Sequence, residues 1–178
     1  MTTIERPPAR SRTARFLEGA HRWGWFEETS ALYTARTGVS ARRLVVYPPG
    51  TTSSQRRAIV FRRRWPAAGG LLALLPAFVL APAPAVVAIG AMVVVYVAGF
   101  VVALVATRRV WPECRVIRCS TVSVGEQHET YGEEQLVTAS LAALLALERA
   151  RQEGRIDEVG FELGWSRVYD LAHSRHAE

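Results

Sequence analysis

The chain has 178 residues, enough for one ordinary domain or for a small domain with a membrane unit. All 22 basic residues are arginines, so sites that depend on lysine, such as a phosphate-binding P-loop or a Schiff base, are excluded. Residues 1–66 carry 13 Arg and 4 Glu (+9), whereas residues 107–178 carry 9 Arg and 12 acidic residues (−3). Because no nucleic-acid-binding motif accompanies the arginines, the basic part predicts contact with the anionic headgroups of a lipid bilayer rather than with nucleic acid.

An uncharged segment divides the chain, since no Asp, Glu, Arg or His lies between Arg64 and Arg108. The predicted fold class is a membrane protein in which an α-helical hairpin of two transmembrane helices is inserted in a small α+β cytoplasmic domain. In chain order, the predicted parts are a disordered segment at 1–10, an N-terminal cytoplasmic part at 11–64 (a helix plus a β-hairpin), the transmembrane hairpin at 65–107 and a C-terminal cytoplasmic part at 108–178 (a strand plus helices).

The N-terminal part contains a candidate amphipathic helix within residues 15–33, which places Phe16 and Trp23 on one side. This helix either packs on the cytoplasmic domain or lies on the membrane at the level of the headgroups, and the sequence leaves both arrangements open. Two short runs rich in β-branched residues follow, at 42–47 and 56–62, and turn-forming residues separate them. We predict that these runs form a β-hairpin.

The uncharged segment is too long for one membrane helix, because a single helix of about 40 residues would be about 60 Å long, twice the thickness of the hydrocarbon core. Pro82 and Pro84 lie near its middle. Proline cannot donate to the helix ladder and disfavours helix at the preceding residue, so these two residues end one helix and begin the next. The prediction is a pair of transmembrane helices at 67–83 and 85–106, with the turn at 82–84.

Arginines flank this segment on both sides, whereas its turn carries no charge. Under the positive-inside rule, both termini are cytoplasmic and the protein is a multi-pass protein of the cell membrane. Tryptophan favours the membrane interface, so one tryptophan near each end completes the predicted anchors. The predicted membrane-interface anchors are Trp65, Trp111, Arg62, Arg63, Arg64, Arg108 and Arg109.

Small residues recur at helical spacing in the same segment and predict close packing of its helices on each other, with homo-oligomerisation as the alternative. The predicted packing positions are Gly69, Ala73, Ala77, Ala81, Gly99 and Ala103. Tyr96 is the only polar side chain before Thr107, whereas ion and proton pathways need intramembrane polar groups. The segment therefore predicts an anchor rather than a transporter.

The C-terminal part begins with an alternating run, Cys114–Val124, that predicts a third strand. We expect it to pair with the strand at 56–62, giving one domain interrupted by the membrane hairpin. A helix is predicted at 133–153, with Thr130 and Glu133 as its capping box. The remaining apolar run predicts an edge strand at 159–165 that leads into a short helix.

Candidate chemistry is sparse. The only histidine with close carboxylate neighbours is His128, and its neighbours are Glu126, Glu129, Glu133 and Glu134. A zinc-protease helix needs a second histidine four residues on, and the segment HETYG lacks it, so a solvated loop is predicted. Cys114 and Cys119 are predicted to be reduced thiols. No catalytic, cofactor-binding or metal-binding residue is predicted, and the chain is not expected to be an enzyme.

In layout and composition, the chain resembles functionally uncharacterised two-span membrane proteins of high-GC actinobacteria. The resemblance implies a bacterial inner-membrane protein and supplies no activity. The predicted function is that of a membrane-anchored structural or regulatory interaction protein with the lipid bilayer, an unidentified protein or a second copy as its partner. The alternative is an accessory subunit of a transporter or of a cell-envelope enzyme complex.

Overall fold

The computed structural model describes residues 11–124 and 127–174, which form an α+β fold. The helices are α1 (Arg12–Glu18), α2 (Ala31–Thr37), α3 (Ser53–Ala73), α4 (Leu75–Val79), α5 (Ala85–Thr107), α6 (Glu134–Gln152) and α7 (Glu158–Ser174), with a 3₁₀ turn at Trp111–Glu113. The strands are β1 (Gly24–Glu28), β2 (Val39–Val46), β3 (Arg115–Val124) and β4 (Gln127–Gly132). The segment at 1–10, predicted to be disordered, lies outside the described residues.

These four strands form one antiparallel sheet in the order β1-β2-β3-β4. β2 and β3 are neighbours although three helices lie between them in the chain. Val46 at the end of β2 pairs with Arg115 at the start of β3. The segment from α3 to α5 therefore leaves the sheet and returns to it at the same end.

The predicted fold class is wrong, because the structure does not contain a hairpin of two transmembrane helices. The segment predicted as the first of them, 67–83, is the end of α3, the 5-residue helix α4 and a turn. Among the described residues only α5, with 23 residues, is long and apolar enough to cross a membrane. α3 does not qualify, because arginines occupy its first half and its helical pattern ends at Ala73, before Pro76.

The strand predicted at 56–62 is also wrong, since these residues lie in α3. A capping box starts this helix: the Thr52 side chain accepts from the Gln55 backbone N–H, and the Gln55 side chain accepts from the Thr52 backbone N–H. These two bonds satisfy N–H groups that the first turn of a helix leaves unpaired. The third strand consequently pairs with the strand predicted at 42–47, which belongs to β2.

The single helix predicted within 15–33 is replaced by α1, β1 and α2. β1 forms here because Gly24 lets the chain approach β2 closely: a Cβ at Gly24 would lie 1.9 Å from the Val45 carbonyl oxygen. Trp23 and Trp25, which flank Gly24, are both buried. Tertiary packing of these indoles thus outweighs the local helical pattern.

Two elements of the C-terminal part are confirmed: the third strand is β3, and the helix predicted at 133–153 is α6. The predicted cap is wrong, because Thr130 lies in β4 opposite Thr121 and no side chain caps α6. The predicted loop before the helix is likewise a strand, β4. The edge strand predicted at 159–165 is wrong as well, since these residues lie within α7.

The core lies where α6 and α7 pack on β2 and β3. Leu44, Val45 and Val46 are consecutive in β2 and all fully buried. Because successive side chains of a strand point to opposite faces, this end of the sheet is covered on both faces. The largest fully buried side chains include Trp23, Trp165, Tyr47, Phe161, Leu44, Ile59, Ile117 and Leu144.

Candidate functional site: an apolar arm with an arginine collar

The most unusual surface of the molecule is an apolar arm, defined as residues 65–107, which comprises the end of α3, α4, the turn and α5. Its large side chains are mostly exposed, with Leu71, Phe78, Val79 and Val86 each more than 70% accessible. In the 18-residue window of α5 that is most apolar, 6% of the residues are buried. Monomeric proteins in water rarely expose a continuous apolar surface of this extent, so the arm indicates a site of contact with another apolar phase or partner.

The arm holds together through one tryptophan. Trp65 is buried between α3 and α5, and its indole Nε1 donates to the Tyr96 carbonyl oxygen at 3.0 Å. Its ring occupies space that two glycines leave open: a Cβ at Gly69 or Gly99 would lie 2.5 Å or 1.8 Å from the ring. Trp65 is therefore an internal packing residue, not the exposed membrane anchor that the sequence predicts.

The structure separates the predicted packing residues into two groups. Ala73 and Ala103 are buried, and Gly69 and Gly99 contact Trp65, so these four positions lie where α3 and α5 pack. Ala77 and Ala81 are exposed. Pro84 is the N-cap of α5, and Pro82 lies in the turn before it.

We expect Gly99→Ala to destabilise the packing of the arm by about 1–3 kcal/mol, because the added methyl group overlaps the Trp65 ring. Gly90→Ala is the matched control in the same helix: nothing lies within 4 Å of its Cβ, and alanine favours helix by about 0.5–1 kcal/mol. Urea unfolding of the full chain in a nonionic detergent measures both. A further change, Trp65→Leu in the Gly99→Ala background, is expected to restore part of the loss, and strictly additive effects would contradict this packing.

Arginines and aromatic rings cluster at the base of the arm, and we call this cluster the collar: Arg62, Arg63, Arg64, Phe16, Trp25, Glu27, Thr107 and Trp111. The Arg62 guanidinium lies 4.2 Å above the Trp111 ring, and Arg63 lies 5.1 Å above the Trp25 ring. The two indoles stack with their centroids 6.4 Å apart. These cation–π contacts hold positive charges in place where the uncharged segment begins.

Hydrogen bonds fix the same arginines. Arg62 donates to the Thr107 hydroxyl at 3.0 Å, which joins the two ends of the arm. Arg63 pairs with Glu27 in β1. Arg64 donates to the Phe16 carbonyl oxygen at 2.7 Å and lies over the Phe16 ring, where α1 packs beside α3.

The remaining predicted anchors differ in their surroundings. Trp111 is half-buried beneath Arg62, whereas Arg108 and Arg109 are exposed directly after α5. Phe16, Trp25, Glu27 and Thr107 belong to the collar and were not predicted. Each of these residues contacts a partner far away in the chain, so no local sequence pattern indicates its role. The capping box at Thr52 is the one local signal, because it indicates that Arg62–Arg64 lie on a helix.

Next to the collar, a side-chain hydrogen bond joins the N-terminal segment to α6. His21 Nδ1 lies 2.6 Å from Glu148 Oε2, and the His21 ring stacks on Trp23. Burial alone would raise the pKa of Glu148, but the hydrogen bond with His21 and the charges of His21 and Arg151 lower it below its ordinary value of 4.5. The ionised form of Glu148 is therefore the stabilised one.

We expect Glu148→Gln to lower the free energy of unfolding by about 1–3 kcal/mol near pH 7, because it replaces the carboxylate in a part-buried hydrogen bond with a neutral amide. Since the folded pKa is lowered, this contribution is present above pH 4.5 and is lost as the pH falls through the folded pKa. Urea unfolding at pH 7 and at steps below pH 4.5 measures the difference between the two chains. Glu153→Gln, at an exposed pair with Arg155, is the control; an equal loss at pH 7 in both variants would contradict the role of Glu148.

The acidic segment around His128 is not assembled as a site. Glu133 is the N-cap of α6 and Glu134 pairs with Arg42, while the Glu126 and His128 side chains lie outside the described residues. Within the described ranges 11–124 and 127–174, no three His, Cys, Asp or Glu side chains come together in a metal-like group. Both cysteines are free thiols, and burial raises the pKa of Cys114 to about 11.

Comparison with known proteins adds one match. Residues 8–177 match a family of unknown function, DUF6611. No curated protein and no solved structure matches the chain.

Proposed function

We propose a membrane-anchoring role for this chain, which belongs to the DUF6611 family: the apolar arm inserts into a lipid bilayer and holds the α+β domain at the surface as a structural or regulatory interaction module. The observation that carries this proposal is the arm itself. Residues 65–107 carry no charge, and most of their large apolar side chains are exposed. In water such a surface is costly, whereas in hydrocarbon it is the favourable one.

The collar supports the proposal, because its positive charges lie where the uncharged arm begins. Arg62–Arg64 and the exposed pair Arg108 and Arg109 lie at the two ends of the arm, where headgroups would meet an inserted segment. At 1.5 Å per residue α5 is about 34 Å long, close to the thickness of the hydrocarbon core. In this arrangement the arginines at the base of the arm lie at the headgroups, and the apolar residues beyond them lie in the hydrocarbon core.

The pairing of β2 with β3 supports one arrangement in the membrane. Because the arm leaves and re-enters one end of one sheet, this proposal puts the parts before and after it on the same face of the bilayer. It takes that face as the cytoplasmic one, as the positive-inside rule favours. In this proposal the arm is a re-entrant insertion that enters and leaves the bilayer on one face, and its turn at Pro82 and Pro84 is the deepest point.

Two valines of equal exposure test the proposal. Val94 in α5 is 66% exposed and Val159 in α7 is 65% exposed. Each is changed to cysteine in a chain carrying Cys114→Ala and Cys119→Ala, reconstituted into liposomes of phosphatidylethanolamine and phosphatidylglycerol. A membrane-impermeant maleimide is expected to label the cysteine at 159 and to spare the one at 94 until detergent is added. Equal labelling of both before detergent would overturn the proposal.

The alternative role, an accessory subunit of a larger membrane complex, is favoured by one observation. Ala77 and Ala81 are exposed, and their chain neighbours Pro76 and Leu80 line an open apolar groove between α4 and α5. Small residues let a neighbouring helix approach closely. Crosslinking in intact cells followed by mass spectrometry tests this role. One stoichiometric membrane partner at these positions would support it, and crosslinks to the same chain alone would oppose it.

A further inference from the structure

We propose that a cavity at the base of the arm binds an anionic amphiphile, a molecule with one phosphate or carboxylate group and an acyl chain, taken from the adjoining lipid leaflet. This inference rests on the proposed membrane insertion, because insertion brings the cavity to the level of the headgroups. The cavity lies between β1, α3, α6 and the segment before β1, and its volume is about 340 Å³. That volume falls in the range of small-molecule sites.

Most of the cavity wall is apolar. Phe26 from β1, Val60 from α3 and Leu141 and Leu145 from α6 line it. The two leucines are only half-buried, although they lie next to the hydrophobic core. An acyl chain or another apolar group would complete their burial, whereas a small inorganic anion would leave these walls in contact with water.

Two arginines bring positive charge to the cavity wall. Arg63 and Arg64 both line it, and they directly precede Trp65, the first residue of the arm. Arg63 is paired with Glu27, and Arg64 donates to the Phe16 carbonyl oxygen. A guanidinium has five N–H groups in a planar fork, so each arginine can keep its present contact and still donate to a bound phosphate or carboxylate.

Trp25 also lines the cavity and is 8% exposed, so its ring adds to the apolar wall. His21 also lines the cavity, but its Nδ1 already makes a hydrogen bond with Glu148. Glu27 pairs with Arg63, so a bound anion would compete with Glu27 for this arginine.

The charge dependence of binding tests the proposal. Native mass spectrometry of the full chain in a nonionic detergent measures one-to-one binding of dioleoyl phosphatidylglycerol. Replacing both Arg63 and Arg64 with glutamine is expected to weaken binding about tenfold or more, since each loses a charge-assisted hydrogen bond. Arg108→Gln with Arg109→Gln removes the same charge from the other end of the arm's sequence, at residues that do not line the cavity, and is expected to change binding less than about twofold. Equal losses in the two pairs would overturn the cavity as the site.

Two further variants keep the test independent of stability. Glu27→Gln removes the competing anion and is expected to strengthen binding. Leu145→Trp fills the cavity from a half-buried position and is expected to weaken it. No change with Leu145→Trp, in a chain that unfolds at the same urea concentration, would overturn the proposal.

Two further probes distinguish a lipid headgroup from a free anion as the ligand. Dioleoyl phosphatidylcholine, which has no net charge, and inorganic phosphate, which has no acyl chain, are both expected to bind at least about tenfold more weakly than phosphatidylglycerol. Inorganic phosphate that binds equally well, with the same dependence on Arg63 and Arg64, would overturn the amphiphile. If the cysteine at 94 is spared by the maleimide but the chain does not bind phosphatidylglycerol, only the cavity proposal is contradicted. If the chain binds the lipid but the cysteine at 94 is labelled, the proposed membrane insertion is contradicted.

Discussion

Val94→Asp is expected to lower the membrane partition coefficient of the chain about 100-fold, and the membrane-bound fraction falls with it. Val94 lies near the middle of α5, is 66% exposed and is surrounded by the uncharged surface of the arm. An aspartate at the centre of an inserted helix costs about 2.5–3.5 kcal/mol on insertion scales, which corresponds to about two orders of magnitude in partitioning. Flotation of the full chain with liposomes in a density gradient, after washing with alkaline carbonate, measures the bound fraction.

Val159→Asp supplies the control for this experiment. Val159 is 65% exposed, but it lies in α7 outside the arm and near the start of a helix, where an acidic residue is favourable. The aspartate at 159 is therefore expected to leave flotation unchanged. If the Val94→Asp chain floats to the same extent as the unchanged chain, the middle of α5 does not lie in hydrocarbon.

Trp165→Ala is expected to lower the free energy of unfolding by about 3–5 kcal/mol, the range for removing a large aromatic residue from a core. Trp165 is fully buried, packs against Phe161 and donates from Nε1 to the Tyr47 carbonyl oxygen at 3.1 Å. This hydrogen bond connects α7 to the end of β2. Urea unfolding in a nonionic detergent, followed by far-ultraviolet circular dichroism, measures the loss.

Leu163→Ala distinguishes the helix from the strand that the sequence favours. In a strand, residues 163 and 165 would lie on one face and both would contribute to packing. In α7 they lie on different faces, and Leu163 is 58% exposed. Its truncation is therefore expected to cost less than about 0.5 kcal/mol. Comparable losses from the two substitutions would contradict the helical assignment.

The sequence was sufficient where a single local pattern dominates. The alternation after Cys114 predicts β3, and the acidic start and Gly154 at the end predict α6, with Gly154 at a positive φ of 71°. These elements carry their own signals, because side-chain period and terminal residues are local properties. The helix predicted at 85–106 is likewise present as α5.

It was insufficient where one segment satisfies two patterns. Val159, Phe161, Leu163 and Trp165 alternate like a strand, yet Phe161 and Trp165 also lie on one helical face. The helix prevails because Val168 and Ala172 continue the same helical face and are buried together with these two aromatic side chains. At 56–62 the β-branched residues favoured a strand, and the capping box at Thr52 begins a helix instead.

By itself, the sequence determined that an uncharged apolar segment interrupts the chain and that arginines flank it, because charge and hydropathy are properties of the residues and need no fold. Tertiary structure alone decided how that segment is arranged. Trp65 and Gly99 are far apart in the chain and meet only when α3 packs on α5, and Arg63 meets Trp25 only when β1 joins the sheet. The physical reason is that such contacts depend on complementary shape between distant segments, which leaves no periodic trace in either segment.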